Sequence, residues 1–344
     1  MQEKVKIDGS MGEGGGQVLR TSLSLSAITG TEIVLENIRA GRAKPGLKRQ
    51  HLTCVKAAAE ICGAQVSEVE VGSRELTFVP GPIKAGDYRF DVGTAGSVTL
   101  VAQTVIPVLL KADGPSTVTI TGGTHVPFAP IWEFFELCYL PELRRMGAKI
   151  EAELDSCGFY PAAGGVVKLR IWPFKEAAND YALTDLGAYK GGSVVGVVSG
   201  LSGEIAEAEA KIVANHLREW EVVPEVRAVS SFGPGNYCYA KLDYERASVV
   251  FSSVGTFAKS RKSVANEVVQ AAQNFLRACK ACEQHLADQL LVPAALFDAG
   301  EWKQNSGTDC KVPTWKFAIQ KETLHYTTNQ AVIRLFRLPE SSIF

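Results

Sequence analysis

The feature that most constrains this chain is a pattern it states twice. Gly15–Gly30 reads as a glycine turn, a helix and a closing glycine, and Thr94–Gly114 repeats that pattern at an offset of roughly 80 residues. A second helix follows each, over Gly46–Gly63 and Ile131–Gly147. Each of these stops at Gly-Ala, where glycine takes the left-handed conformation that ends a helix. Alternating segments, Glu75–Val79 and Val166–Ile171, then read as strands. The unit so predicted is two helices packed on a small sheet. His285–Leu296, followed by Asp298-Ala299-Gly300, looks like the start of a third copy.

Between Trp172 and His285 the register changes. Gly192–Leu201 is a strand candidate, Ser202–Trp220 a charged amphipathic helix, Tyr237–Asp243 and Ala247–Ser253 a strand pair, and Ser263–Ala281 a long helix. The segment is predicted as an inserted βαββα-like block whose simplest role is scaffolding.

A chain of 344 residues is ample for a sizeable core and two domains. Its net charge of −1 sets up no global field toward nucleic acid, so any polyanion site must be a local cluster. The N-terminal MQEKVKIDGS has no apolar stretch of signal-peptide length, which argues against secretion. The most apolar stretch, Ser97–Leu110, is short and interrupted by Thr99, Gln103 and Thr104, so no membrane association is expected. The 8 cysteines form no disulfide framework, and Cys279/Cys282, the only CxxC, has no second ligand pair at zinc-site spacing. A reducing, cytoplasmic setting is expected.

Two blocks carry chemistry. In Asp8–Gly30 a turn rich in glycine (Gly9, Gly12, Gly14, Gly15, Gly16) opens a helix, with the acid Glu13 in the loop and the base Arg20 in the first turns. Free N–H groups at a helix start favour an anion, and the loop suggests a phosphate with a metal ion. It is neither a P-loop, since no Lys follows, nor a dinucleotide fingerprint, since Gln17 and Leu19 stand where glycine is needed. The second block, Ile38–Leu52, crowds Arg39, Arg42, Lys44, Lys48, Arg49 and His51 around Gly41 and Pro45-Gly46. Arginines offer the two-pronged geometry that phosphate recognition uses.

These segments, with GDYRF (Gly86–Phe90), GSVTL (Gly96–Leu100), GFYPAAGGVV (Gly158–Val167) and HLADQL (His285–Leu290), resemble the RNA 3'-terminal phosphate cyclase family. The match runs in order to about Ile171 and resumes near residue 285. The resemblance implies an α/β fold of three repeats of a two-helix plus four-stranded-sheet unit, spanning 1–183 and 284–344, with a smaller inserted α/β domain over 184–283. It also implies an enzyme, a nucleotidyl-transferring ligase that uses ATP to convert an RNA 3'-phosphate end into a 2',3'-cyclic phosphate. A histidine takes AMP from ATP and passes it to the RNA 3'-phosphate, and the neighbouring 2'-OH then displaces it. A neutral imidazole is a competent nucleophile near neutral pH.

Among the five histidines, His325 in LHYTTN matches the family's catalytic position. His216 reads as surface, and His125 sits in a loop whose family counterpart does not require histidine. By the same resemblance Glu13 holds a divalent metal (Mg2+ or Mn2+) and Arg20, Arg39 and Arg42 bind phosphates. Gln50, His51, Gln103, Pro130 and Asp288 line the nucleotide pocket, and His285, where the family commonly carries Tyr, stacks on or edges the adenine. A local cap or ion pair stands beside that role for Asp288.

The chain also departs from the family pattern. Cys157 takes a position that is commonly basic and Ala163 replaces a glycine. Glu301–Thr323 is longer than expected, and only Pro339–Phe344 follows Leu338, which leaves Val312–Gln320 as a candidate strand of the third repeat. Two other classes remain: a non-catalytic, cyclase-like ribosome-assembly factor that binds RNA, and an enolpyruvyl transferase built from similar repeats. Glu13, the Arg39/Arg42 block and His325 argue against the first.

Overall fold

The computed structural model describes residues 4–175, 181–183, 185–278, 282–297, 316–317 and 332. The first unit runs β1 (Val5–Asp8), α1 (Gln17–Thr29), β2 (Ile33–Glu36), α2 (Arg49–Cys62), β3 (Gln65–Val66) and β4 (Leu76–Val79). The sheet order is β1-β2-β4-β3, with β1 and β2 parallel and the other pairs antiparallel. Ile33 and Leu35 alternate with more exposed neighbours, so β2 buries one face. Both helices end on glycine in the left-handed region, Gly30 at φ 70° and Gly63 at φ 58°.

The second unit repeats the first strand for strand. It comprises β5 (Asp87–Asp91), α3 (Val98–Leu109), β6 (Ser116–Gly122), α4 (Trp132–Phe134), α5 (Leu140–Arg145), β7 (Ile150–Ser156) and β8 (Gly165–Ile171), in the order β5-β6-β8-β7 with the same mix of parallel and antiparallel pairs. The one helix expected over 131–147 is broken: a π-helical turn over Phe135–Tyr139 separates α4 from α5. Pro141 has no N–H for the preceding turn, and a widened turn is one way a helix absorbs that loss. Helices α1, α2 and α3 pack mutually, and Ser24 Oγ of α1 donates to the carbonyl of Thr104 in α3 at 2.8 Å. That bond joins positions related by the repeat. The small residues Ser22, Ser24, Ser26 and Ala27 of α1 are buried and permit close helix approach.

The third unit begins at β9 (Ala182–Leu183), and then comes the block of changed register. That block holds β10 (Tyr189–Ser199), α6 (Gly203–His216), β11 (Val223–Ala228), β12 (Gly235–Tyr244), β13 (Ser248–Val254) and α7 (Arg261–Ala278). The chain resumes with α8 (Gln284–Phe297) and β14 (Lys316–Phe317), and β14 pairs parallel with β9 as β2 does with β1. This short strand lies within the expected 312–320 segment. The block exceeds the expected βαββα by one strand, β11, which pairs parallel with β10 at the edge of the sheet β11-β10-β12-β13. Its Pro224 and mostly exposed residues hide it from a search for alternating burial, and an edge is where a strand tolerates proline.

Strands β10, β12 and β13 of this sheet are buried on both faces. One face packs under α6 and α7 through Val194, Ala240, Leu242 and Phe251, and the other presents Val195, Val197, Tyr237 and Tyr239 to the core of the first two units. A polar lock spans the second contact. His125 is fully buried, with Nδ1 2.8 Å from Thr124 Oγ1 and Nε2 3.0 Å from Glu133 Oε2, and Tyr237 donates to Glu133 Oε1 at 2.5 Å. The His125 ring also stacks on Tyr237 at 4.2 Å. Although burial opposes it, His125 and the two hydrogen bonds hold the Glu133 carboxyl below its ordinary range. Cys157, beside this lock, has its thiol pushed up to about 11 by burial and by Glu133. Ala163, at the departure from the glycine pattern, takes φ 62°, a left-handed conformation that costs an alanine about 1 kcal/mol or more.

Under α6 lies a less satisfied acid. Glu209 is fully buried; Oε1 accepts from Asn236 Nδ2 at 2.7 Å, while Oε2 has no hydrogen-bond partner. Burial raises its carboxyl from 4.5 to about 7. The folded state therefore holds a proton that the unfolded chain has released, and the stability this gives is complete below pH 4.5 and lost as pH rises through about 7. The loss is on the order of 3 kcal/mol. Glu209→Gln is expected to flatten that part of the profile and to melt above the wild type at pH 8 in thermal denaturation, both proteins converging under acid conditions.

Candidate active site

The site is built where two glycine-containing loops touch. Between β1 and α1 the backbone turns with Gly12 at φ 61° and Gly14 at φ 53°. Gly41 of the basic loop donates its N–H to the Gly14 carbonyl at 3.2 Å. A side chain on Gly14 would meet the Gly41 backbone within 2.6 Å, so the two loops can close only as glycine on glycine. A methyl on Gly15 would meet Arg42 Nη2 at 2.8 Å, and one on Gly16 would collide with His51 Nε2.

Cationic groups converge on this contact. Arg42 pairs with Glu13 at 2.7 Å, both partly exposed. Arg39, itself in the left-handed region at φ 56°, is buried and donates through Nη1 to the carbonyls of Lys44 and Gly46 at 2.8 and 2.7 Å. It thus shapes the basic loop with one end of its guanidinium. Arg20 reaches back from α1 to Gln17. Burial and then Arg42 lower the proton affinity of Arg39, and burial followed by Arg39, Lys44 and Arg42 lowers that of Lys48. Such mutual repulsion among clustered cations is relieved by an anion.

His51 sits in the middle of them and is neutral. Burial, then Arg20, Arg39 and Lys48, pull its imidazole down to about 2. Its Nδ1 accepts from the Lys48 N–H at 3.2 Å at the start of α2, so the proton of the neutral ring is assigned to Nε2, the atom that faces Gly16. His51 therefore presents an N–H donor to the glycine loop without adding a charge.

The other candidate residues are tied together by contacts between repeats. Gln50 Oε1 accepts from the N–H of Ser97 at 3.0 Å, tying α2 to the start of α3. Ser97 caps α3 by accepting from Leu100 at 3.2 Å, and Thr99 donates to the Pro130 carbonyl at 2.8 Å. Gln103 of α3 bonds Gln289 of α8. Glu283 Oε2 accepts from the N–H groups of His285 and Leu286 at 2.8 and 3.0 Å and thereby sets the first turn of α8, which leaves His285 exposed. Asp288, buried one position before Gln289, is close enough to oppose the lowering of Arg20 that burial causes. Glu13, Arg20, Arg39, Arg42 and His51 thus form one cluster; Gln50 and Pro130 are hydrogen-bonded to the start of α3, Gln103 lies on α3, and the Asp288 charge acts on Arg20.

His325 and Cys279 lie outside the described residues. Of the other histidines, His125 belongs to the buried lock and His216 is exposed at the end of α6. Ser97, Thr99 and Gln289 escaped the sequence reading; a serine immediately before an apolar run is an N-cap signal that could have found Ser97. Among the described residues no cluster of three metal-ligating side chains occurs. Glu13 alone fits a hard divalent ion of the kind that takes one or two carboxylates and completes its shell with substrate phosphates and water.

A glycine loop at a helix start, flanked by the buried Arg39, the more exposed Arg20, Arg42 and Lys48, and a neutral imidazole N–H, is set in an α/β protein built from repeats. The chain matches the family model described as RNA 3'-terminal phosphate cyclase over residues 11–341. It is 44% identical over 333 residues to the RNA 3'-terminal phosphate cyclase of Ralstonia nicotianae, covering 96% of this chain and 91% of that one. It is 43% identical over 342 residues to the protein of that name from Koribacter versatilis, covering 98% and 90%, and 40% identical over 336 residues to that from Salmonella agona, covering 98% and 93%. The chain belongs to the RNA 3'-terminal phosphate cyclase family and is an enzyme of that family, which uses ATP. No described helix is long and apolar enough to cross a membrane.

Alanine is the better helix former, yet Gly16→Ala places a methyl against His51 Nε2. The variant is expected to fold and to bind ATP at least tenfold more weakly in an equilibrium titration, whereas affinity equal to the wild type would separate the loop from the nucleotide site.

Proposed function

We propose that this cluster holds the triphosphate of ATP and that the enzyme closes an RNA 3'-phosphate onto its neighbouring 2'-OH. The observation that carries the reading is the convergence of Arg20, Arg39, Arg42 and the neutral His51 on the glycine loop at Gly14–Gly16. Arginines distribute charge over phosphate oxygens, and the His51 N–H adds a directed donor that does not compete for the same anions as a further cation. Glu13 is the residue that would hold a divalent ion; when bound, the ion offsets charge on the phosphate oxygens. The Arg42–Glu13 pair keeps that carboxylate positioned at the mouth of the loop.

In the proposed reaction a histidine nitrogen attacks the α-phosphorus of ATP, forming a P–N bond and releasing pyrophosphate. An oxygen of the RNA 3'-phosphate then takes the AMP group, breaking the P–N bond. Finally the 2'-OH attacks the 3'-phosphorus, and AMP leaves as the cyclic phosphate forms. His325 is proposed as the nucleophile on the resemblance of LHYTTN to the family's catalytic segment. His51 is unsuited to that role here, because Nδ1 is occupied by the Lys48 N–H and Nε2 carries the proton. His285 is proposed to stack on or edge the adenine, with Gln50, His51, Gln103, Pro130 and Asp288 lining the nucleotide pocket. We further propose that residues 184–283 act as an inserted domain on a catalytic body formed by 1–183 and 284–344. The described free thiols, all buried, suit a cytoplasmic location.

Incubation with ATP labelled on the α-phosphate is expected to leave acid-labile label on the denatured wild-type chain and none on His325→Ala. Label on both variants would move the nucleophile to another histidine. Label on neither, from folded protein that still binds ATP, would favour a binding protein without nucleotidyl transfer.

A further inference from the structure

Three loops at one end of the sheets each expose an aromatic ring. Phe128 is fully exposed, Phe232 is 84% exposed and Tyr160 59% exposed. The loops that carry them are bonded to one another. Thr124 and His125 donate their N–H groups to the Gly158 carbonyl at 2.9 and 3.1 Å, which joins the loop of Phe128 to that of Tyr160. Cys157 bridges Ser231, and Gly164 lies against the Phe232 side chain, which joins the loop of Tyr160 to that of Phe232. The three loops are therefore joined into one rim that runs from the second repeat onto the sheet of β10–β13.

The Phe128 end of this surface adjoins the proposed nucleotide pocket. Pro130, whose carbonyl is fixed by Thr99, is two residues away, a span of about 7 Å at most. The position is also conformationally costly: Phe128 sits at φ 63°, where a bulky residue is rare. Its neighbours hold it there, His125 in the buried lock and Val126 in the core. A fully exposed phenylalanine in a left-handed turn gains nothing for the fold, and strain of this kind gathers at ligand-binding sites. At the other end, Phe232 borders an open surface depression of about 600 Å³ lined by residues 228–234 with Ser199 and Gly200. No acidic or basic side chain lines it among the described residues; backbone groups and the hydroxyls of Ser199, Ser230 and Ser231 are its polar elements. That lining, with one aromatic ring and no charged side chain, suits the face and edge of a base.

We propose that this surface is the track for the single-stranded body of the RNA, with bases stacking on Phe128 and Phe232 and one base settling in the depression beside Phe232. The assignment rests on the proposed reaction only for the kind of polymer it takes. Stacking on exposed rings is how proteins hold single strands without reading sequence, since every base has a face. The basic cluster at the glycine loop then handles the terminal phosphate, and the aromatic track handles the bases upstream of it.

The test uses a fluorescently labelled RNA oligonucleotide bearing a 3'-phosphate, titrated with full-length wild type, Phe232→Ala and Phe128→Gly, the last chosen because glycine accepts the φ of 63° without strain. Each variant is expected to bind roughly tenfold more weakly or worse, with the slope of log affinity against log salt unchanged, because no phosphate contact is removed. A single abasic nucleotide, moved along the oligonucleotide, is expected to weaken wild-type binding at one or two positions and to add no further loss in the variant whose ring that base would have met. Wild-type affinity in both variants, or a loss that appears as a shallower salt slope, would overturn the proposal. Base-dependent binding by a wild type that cyclises no RNA 3'-phosphate would support the track and overturn the proposed reaction. No RNA binding by the wild type would overturn the track.

Discussion

The close contact between two glycine-containing loops is the constraint on which the rest of the site depends. Gly14 and Gly41 approach so closely that neither tolerates a side chain, and that approach brings Arg42 over Gly15 and His51 against Gly16. The cost is a group of cations that repel one another, seen in the lowered proton affinities of Arg39 and Lys48. Such a cluster is stable because its members are tied to backbone carbonyls and to Glu13, and because the residue at its centre, His51, is kept neutral. An anion entering the loop would relieve repulsion that the fold has already accepted, which is the physical meaning of a preorganised phosphate site.

The repeat architecture explains why the pocket lies where it does. Each unit supplies a helix start at the same place in its topology, α1 after β1 and α3 after β5, and the parallel pairing of β9 with β14 around α8 continues the series. Helices related by the repeat pack against one another, α1 on α3 and α3 on α8. The three units then specialise. The first provides the glycine loop and cations, the second provides Ser97, Gln103 and Pro130, and α8 brings Asp288 and Gln289.

The inserted sheet is held to this body by the lock of His125, Glu133 and Tyr237, a polar group that is costly to bury unless every member is bonded. Its satisfaction fixes the register between the second unit and the inserted strands, because a slip of one residue along β12 would turn Tyr237 away from Glu133. The same contact sets the loops of Phe128, Tyr160 and Phe232 side by side. An insertion read from sequence as scaffolding is, in the structure, also one wall of an exposed aromatic surface.

Much of the plan was legible along the chain, because helix stops, glycine turns and alternating burial are local signals. The doubled unit, α1 through α3, and the elements α6, β12, β13 and α7 follow from residue order alone, and Gly30 and Gly63 end their helices as glycine should. The resemblance carried by the two chemical stretches supplied the chemistry, which periodicity cannot. What was not legible depended on distant contacts or on a broken local rule. β11 escaped because an edge strand with Pro224 buries little, and the break between α4 and α5 follows Pro141 in an otherwise helical pattern. The sequence by itself determined the glycine loop, the basic loop and the order of the units. Only the tertiary structure decided that Gly14 meets Gly41, that His51 is neutral with its Nε2 toward Gly16, and that Gln103 meets Gln289 across 186 residues, since burial and through-space charge exist only once the chain has packed.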